Sequence, residues 1–307
     1  MLNLMPDPYH NPVMLKESME GLLINPDGVY VDLTFGGGGH AAEILRSLEN
    51  GKLFAFDQDP DARANAAAFK DDPRFTFIDA NFRYFVRYLK MHNITTVDGI
   101  LADLGVSSHQ IDSAERGFST RFDAILDMRM SREGKLTARV VLDEYSGEEL
   151  QKVFSSYGEI RNARTLASAI VNQRKVEPIH TVNRMKKIAG ALAPKGREIK
   201  YISRIFQALR IEVNEEMAAL DEMLSLSLNI LKSKGRLVVI SYHSLEDRKV
   251  KYMIKYGNIA GKPEKDFYGN LLRPMLPIVT KPITPAADEL AVNSRARSAK
   301  LRIGEKL

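Results

Sequence analysis

The residues of this chain whose types and spacing suit chemistry are a run of glycines and a set of aspartates. Gly36-Gly37-Gly38-Gly39-His40 follows a short β-rich run at 28–33, and residues 41–45 then show helix-forming side chains with helical apolar spacing. Glycines at such a turn let the backbone approach a ligand closely, and the helix N-terminus that follows offers unpaired N–H groups. Asp57 ends the next apolar run, 20 residues after Gly37, where an acid can accept hydrogen bonds from ribose hydroxyls. Asp32, four residues before Gly36, places an acid where a cationic ligand end would sit. The combination predicts a nucleoside cofactor; a tight turn with a helix-capping aspartate is the alternative.

These residues need a scaffold, and the apolar pattern supplies one. Runs at 52–56, 75–78 and 97–101 read as strands that end at Asp57, Asp79 and Asp103, and residues 62–69 and 82–92 between them read as helices. Strands alternating with helices predict a parallel, doubly wound α/β sheet, and open sheets of this kind bind ligands at the carboxyl ends of their strands. The next convincing strand is 235–241, far too distant for an ordinary connection, so a domain is inserted. Helical spacing at 147–157, 161–174, 182–192 and 201–213 makes the insertion mostly α-helical. The expected organisation is a first part of the sheet domain at 1–110, the insertion at 111–213, and a second part at 214–307. That second part opens with a helix at 215–231 and ends with a strand at 299–303, and 262–288 reads as an extended surface excursion.

With 44% hydrophobic and 27% charged residues, the chain has the composition of a soluble globular protein. It has no cysteine, which excludes disulfides and thiolate metal sites, and its six histidines lack ligand spacing, so no metal is expected. The absence of a signal-like start or a long apolar run predicts a cytoplasmic protein without a membrane partner. Residues 151–210 carry 13 Lys and Arg against three acids, so the net charge of +5 is concentrated in the insertion. That is either a solvated face or a surface for a polyanion.

The pattern D-x-x-x-G-x-G from Asp32 resembles the first motif of class I methyltransferases more than the dinucleotide fingerprint G-x-G-x-x-G. Longer blocks extend the likeness: HNPVML at 10–15, TFGGGGH at 34–40, DLGVSSHQID at 103–112, ERGFS at 115–119, LDMRM at 126–130, FQALRIEVN at 206–214, SYHSLEDR at 241–248 and NSRARSAKLR at 293–302. Over nearly its full length the chain resembles the bacterial small-subunit ribosomal RNA cytosine-N4 methyltransferase family, RsmH or MraW. The resemblance implies a class I methyltransferase, Rossmann-like fold with an inserted helical domain. It also implies S-adenosyl-L-methionine as cofactor, held by Gly38, Gly39, His40, Asp57, Phe82, Asp103 and Gln110. The implied reaction methylates N4 of a decoding-centre cytidine in 16S ribosomal RNA, within an assembled or nearly assembled small subunit.

Asp103, with Ser107 and Ser108 nearby, is the candidate for contact with the amino group, or else serves only the methionine end of the cofactor. Tyr242 and His243 stack on or bond the base, with packing the alternative for Tyr242. Arg161, Arg164, Arg174, Lys175, Lys186 and Lys187 are candidates for phosphate contacts, assisted by Arg295, Arg297, Lys300 and Arg302. The chain departs from the family pattern at His109, Ala124-Ile125 and Ile202-Ser203. Rival readings are a nicotinamide oxidoreductase, a noncatalytic RNA-binding protein, and a DNA cytosine-N4 methyltransferase; the last is expected to carry an S/D-P-P-Y/F loop where this chain has Asp103-Leu104-Gly105-Val106.

Overall fold

The apolar runs and the amphipathic stretches between them fold into a Rossmann-like α/β sheet unit and a helical unit. The computed structural model describes residues 12–307, so His10 and Asn11 of the first sequence block lie outside the described residues. The chain divides into one unit of Met1–Gly105 with Ala218–Leu307 and a second of Val106–Met217. The second unit thus begins five residues before, and ends four residues after, the insertion expected at 111–213.

The sheet unit contains α1 (Leu15–Leu22), β1 (Val29–Asp32), α2 (Gly39–Ser47), β2 (Lys52–Asp57), α3 (Pro60–Ala66), β3 (Phe75–Asp79), α4 (Phe85–Met91) and β4 (Val97–Asp103). After the helical unit, α11 (Glu216–Ile230) leads to β5 (Leu231–Ser241), α12 (Ser244–Tyr256), a small hairpin of β6 (Glu264–Lys265) and β7 (Leu271–Leu272), β8 (Met275–Pro277), α13 (Ala287–Val292) and β9 (Lys300–Lys306). Seven strands form one sheet in the order β3-β2-β1-β4-β5-β9-β8. β1 pairs in parallel with both β2 and β4, so the winding reverses between β1 and β4. Such a switch point opens a crevice at the carboxyl ends of the two strands. Leu53 to Phe56, Ile100 to Ala102 and Leu237 to Ile240 are almost wholly buried, the continuous apolar signature of strands covered on both faces.

Two expectations are corrected here. The sheet is not all parallel: β9 runs antiparallel between β5 and β8, as at the edge of many otherwise parallel sheets. Nor is 262–288 only a surface excursion. Within it β8 joins the main sheet, and Met275 is fully buried. Prolines at 274 and 277 disguised that strand, which is short and lies at the edge, where proline is tolerated.

The helical unit contains α5 (Ser108–Asp112), α6 (Ala138–Glu144), α7 (Gly147–Gly158), α8 (Ala163–Arg174), α9 (Val182–Leu192) and α10 (Glu198–Asn214). It has its own core, in which Leu126, Met128, Phe154, Leu166, Ile170, Ile205 and Leu209 are fully buried. Several sequence blocks turn out to brace this core. Arg116 donates from its buried guanidinium to the carbonyls of Arg129 and Met130, and Asn214 both donates to Met128 O at 2.7 Å and accepts from Met130 N at 2.7 Å. Gly117 sits at φ +69°, and a Cβ there would overlap the Ile125 carbonyl oxygen, so no other residue fits.

Candidate active site

The glycine loop is built by two left-handed glycines, Gly36 at φ +52° and Gly38 at φ +79°. A Cβ on Gly38 would lie 2.9 Å from the rings of Phe35 and Phe69, and one on Gly39 would lie 2.9 Å from Pro12. Phe35 packs edge-on against Phe69 and Phe77 at 5.5 and 5.4 Å, which fixes the loop from below. Gly38 caps α2 without a side chain, and Ala42 N is the donor to Gly38 O, at 2.8 Å. The N–H groups of the first turn of α2, before Ala42, are therefore placed to receive an electron-rich ligand group.

His40 offers such a backbone N–H and little else. Its ring is buried, its Nε2 lies 3.1 Å from Val13 O, and burial pushes its pKa down to about 4, so it is neutral. Asp57 accepts from Gly36 N at 2.8 Å and Asp59 N at 2.9 Å, and so ties β2 to the glycine loop. A carboxylate has about four acceptor sites, so acceptor capacity remains for hydroxyl donors. Phe82 is half-buried and follows Asn81, whose side chain donates to Gln58 Oε1 at 3.0 Å. It thus stands beside the ends of β2 and β3. Asp79, in register with Asp57, is engaged by an ion pair to Arg63.

Asp32 and Asp103 flank the switch point. Asp103 N donates to Thr34 Oγ1 at 2.6 Å, and Tyr242 Oη donates to Asp103 Oδ1 at 2.8 Å. Burial pushes the Asp103 carboxyl up to about 7, against the pull of the Tyr242 hydroxyl; the like charges of Asp32, Glu246 and Glu289 push it further. Asp32 accepts from Thr34 N through Oδ1, while its buried Oδ2 has no hydrogen-bond partner among the described residues. Burial pushes Asp32 up to about 7 and Asp57 up to about 6. Tyr242, half-buried beside Asp103, is held by that burial and by the neighbouring carboxylate well above the ordinary tyrosine range and keeps its proton. A group of carboxyls strained toward neutrality, one with an orphan oxygen, fits a ligand that brings positive charge into the crevice.

Other residues expected at the site have local partners. His243 is the N-cap of α12: its Nδ1 accepts from Glu246 N, while Glu246 accepts from Tyr242 N at 2.9 Å and His243 N at 3.3 Å. Nδ1 is thereby committed to the cap while Nε2 lies 3.1 Å from Glu246 Oε1, and the Tyr242 side chain is the one directed at Asp103. Glu246, only 2% exposed, was missed in the sequence although H-x-x-E before an apolar-spaced run has capping-box form. Ser107 and Gln110, in the helical unit, make another such box around α5: Gln110 N donates to Ser107 Oγ and Ser107 N to Gln110 Oε1.

Replacing Glu246 with Ala should lower stability by about 1–2 kcal/mol, in line with other lost caps, and turnover should fall because Tyr242 loses its anchor. Thermal melts together with turnover at saturating substrate check this; unaltered turnover would refute the anchoring role.

The basic candidates of the helical unit separate into two groups. Arg161, Arg164, Lys175 and Lys187 are exposed. Arg174 instead donates to the carbonyls of Leu142 and Tyr145 at 2.7 and 2.8 Å, closing the end of α6, and Lys186 donates to Thr120 O at 2.9 Å. Both long side chains are thus used inside the unit. A cleft of about 950 Å³ gathers Arg161 with Arg197, Lys200 and Arg204, alongside Glu159 and Glu198. The last three cations, counted in the basic segment of the sequence but not singled out, lie at the N-cap and along one face of α10. In the tail, Arg302 and Lys300 pair with Asp247 at 2.7 and 3.4 Å.

A Rossmann-like sheet with its glycine loop, switch-point carboxylates and closing antiparallel strand has the architecture of a class I methyltransferase. The model of the MraW methylase family matches residues 7–307, and the chain belongs to that family. A relative from Flavobacterium johnsoniae named ribosomal RNA small subunit methyltransferase H is 56% identical over 300 residues, covering 97% of this chain and 98% of the relative. Proteins of the same name from Amoebophilus asiaticus and Bacteroides thetaiotaomicron are each 54% identical, over 97% of this chain and 96% and 97% of their own lengths. Among the described residues no helix is long and apolar enough to cross a membrane.

Proposed function

We propose that this methyltransferase acts on small-subunit ribosomal RNA, at N4 of a decoding-centre cytidine, with S-adenosyl-L-methionine as methyl donor. The observation that carries the reading is the Asp103–Tyr242 pair at the switch point, beside the orphan oxygen of Asp32. S-adenosylmethionine supplies an electrophilic methyl group on a sulfonium when bound. Gly38, Gly39 and the backbone of His40 accommodate it closely, Asp57 and Phe82 suit its ribose and adenine, and Asp32 suits its cationic amino-acid end. The N4 lone pair is delocalised into the cytosine ring, so the protein's contribution is to hold N4 in line and to accept a proton from it. Asp103, poised near neutrality, is the acceptor, and the Tyr242 hydroxyl orients its carboxylate.

Reaching N4 inside a structured RNA requires the base to be extruded. The exposed cations of the helical unit, Arg161, Arg164, Lys175 and Lys187 with Arg197, Lys200 and Arg204 of the cleft, position the RNA through its phosphates without reading sequence. Tritium transfer from labelled S-adenosylmethionine to small subunits, naked ribosomal RNA and duplex DNA, followed by nucleoside analysis, tests the proposal. N4-methylcytidine from subunits or ribosomal RNA alone is the expected product. Label in DNA, or cofactor binding without transfer, overturns it.

A further inference from the structure

The β6–β7 hairpin ends in two aromatic side chains that contribute nothing to the core: Phe267 is 98% exposed and Tyr268 86%. Their rings stand edge to face, with centroids 5.7 Å apart. The turn beneath them is firmly built. Asp266 accepts from Tyr268 N at 2.9 Å, Asn270 N at 2.8 Å and Asn270 Nδ2 at 3.0 Å, and Gly269 N donates to Asp266 O at 3.0 Å. These bonds hold the Asp266 carboxyl below its ordinary value, so it stays ionised and tied to the turn. Two large rings are therefore presented to solvent by an ordered loop, a costly arrangement for a surface without a partner.

The surroundings say which partner fits. Lys251, Lys255, Lys262, Lys265 and Arg273 are all exposed within 251–273, against only two acids, Asp266 and Glu264. Apolar protein interfaces are depleted in lysine, whereas single-stranded nucleic acid is bound by cations that follow its phosphates and aromatic faces on which its bases stack. We propose that this hairpin is a second RNA contact, in which Phe267 and Tyr268 stack on unpaired bases while the surrounding lysines engage the backbone. The inference rests on the ribosomal RNA reading above and adds a requirement about substrate length. α12 runs 13 residues from the turn that carries Tyr242 to Gly257, about 20 Å at the helical rise, and Gly257 packs against Pro274 at the base of the hairpin. An RNA that runs from the active site to the base of the hairpin extends over about that distance.

The full-length protein is tested with Phe267→Ala/Tyr268→Ala, and with Phe267→Trp as a fluorescent reporter in a chain that has no tryptophan. Both substitutions lie outside the core and the cofactor site. For the double variant, affinity for small subunits or long ribosomal RNA fragments should fall roughly tenfold or more, from the loss of base stacking. Cofactor affinity and turnover at saturating RNA should be unchanged, as should affinity for an oligonucleotide too short to span the distance. Long RNA should quench the indole emission of the Phe267→Trp protein and the short oligonucleotide should not. Unaltered affinity for long RNA in the double variant, with methylation intact, overturns the hairpin contact while leaving the activity standing. A shift from dimer to monomer without loss of RNA affinity overturns it in favour of a second copy of the chain. Failure of the unaltered protein to bind or methylate any RNA overturns both readings.

Discussion

Asp103→Asn is expected to lower turnover on small subunits by about two to four orders of magnitude, the usual contribution of a positioned proton acceptor. The amide keeps the shape and can still accept from the Tyr242 hydroxyl, so the sheet edge is preserved while the capacity to take a proton is lost. The pH dependence sharpens the expectation. With the Asp103 pKa raised to about 7, its ionised form grows as pH climbs from 6 to 8, and turnover per unit of substrate should rise through the same interval. Positive charge brought by the cofactor favours the carboxylate, so the rise in turnover at saturation should fall at lower pH. Tyr242→Phe removes a hydrogen bond to the ionised form and should move the profile to higher pH with a smaller loss of rate. Steady-state profiles of the three proteins decide the matter. If Asp103→Asn only weakens cofactor binding and retains full turnover at saturation, Asp103 serves the cofactor alone.

The second large effect concerns Asp32, whose replacement should stabilise the free protein and impair it as an enzyme. Its carboxyl has a folded pKa of about 7 against an ordinary value of 3.8. Below about pH 4 it is protonated in both folded and unfolded chains and contributes no difference. Between about 4 and 7 the folded chain holds the extra proton, so stability falls as pH rises, and above 7 the full penalty is present. Asp57 and Asp103 act in the same direction. The free protein should accordingly melt at a lower temperature at pH 8 than at pH 6.

Asp32→Asn replaces a buried, half-orphaned charge with a neutral amide. It should recover on the order of 1–4 kcal/mol at pH 8, flatten the slope with pH, and weaken cofactor affinity roughly ten- to a hundredfold. Calorimetry of melting and of cofactor binding reads both. An Asp32→Asn variant that is less stable at pH 8, or that binds cofactor unchanged, contradicts the assignment of Asp32 to the cationic end.

The legibility of these features differed by physical cause. β1, β2, β4 and the glycine loop were readable because buried parallel strands form short apolar runs, and because glycine followed by a distant aspartate encodes a backbone shape and a ligand contact together. α7 and α9 were readable because amphipathic spacing survives over ten or more residues. α6 and β8 were not, since seven and three residues are too few to show a period, and prolines at 274 and 277 read as a break. Arg174 and Lys186 looked like free cations because the sequence shows charge but not the carbonyls of Leu142, Tyr145 and Thr120 that lie within their reach. The bond from Tyr242 to Asp103 joins residues far apart in the chain, and the orphan oxygen of Asp32 depends on what packs around it; only the folded sheet brings both out.

Placing the helical unit between β4 and β5 has an entropic consequence. These strands pair in parallel, yet residues 104–230 lie between them. Closing a loop of that length in place of a ten-residue connection costs only about 2 kcal/mol, because closure entropy grows with the logarithm of length. The buried core of the helical unit can offset so small a cost. Closure entropy therefore makes the pairing of β4 with β5 nearly indifferent to the length of what is spliced in at this point.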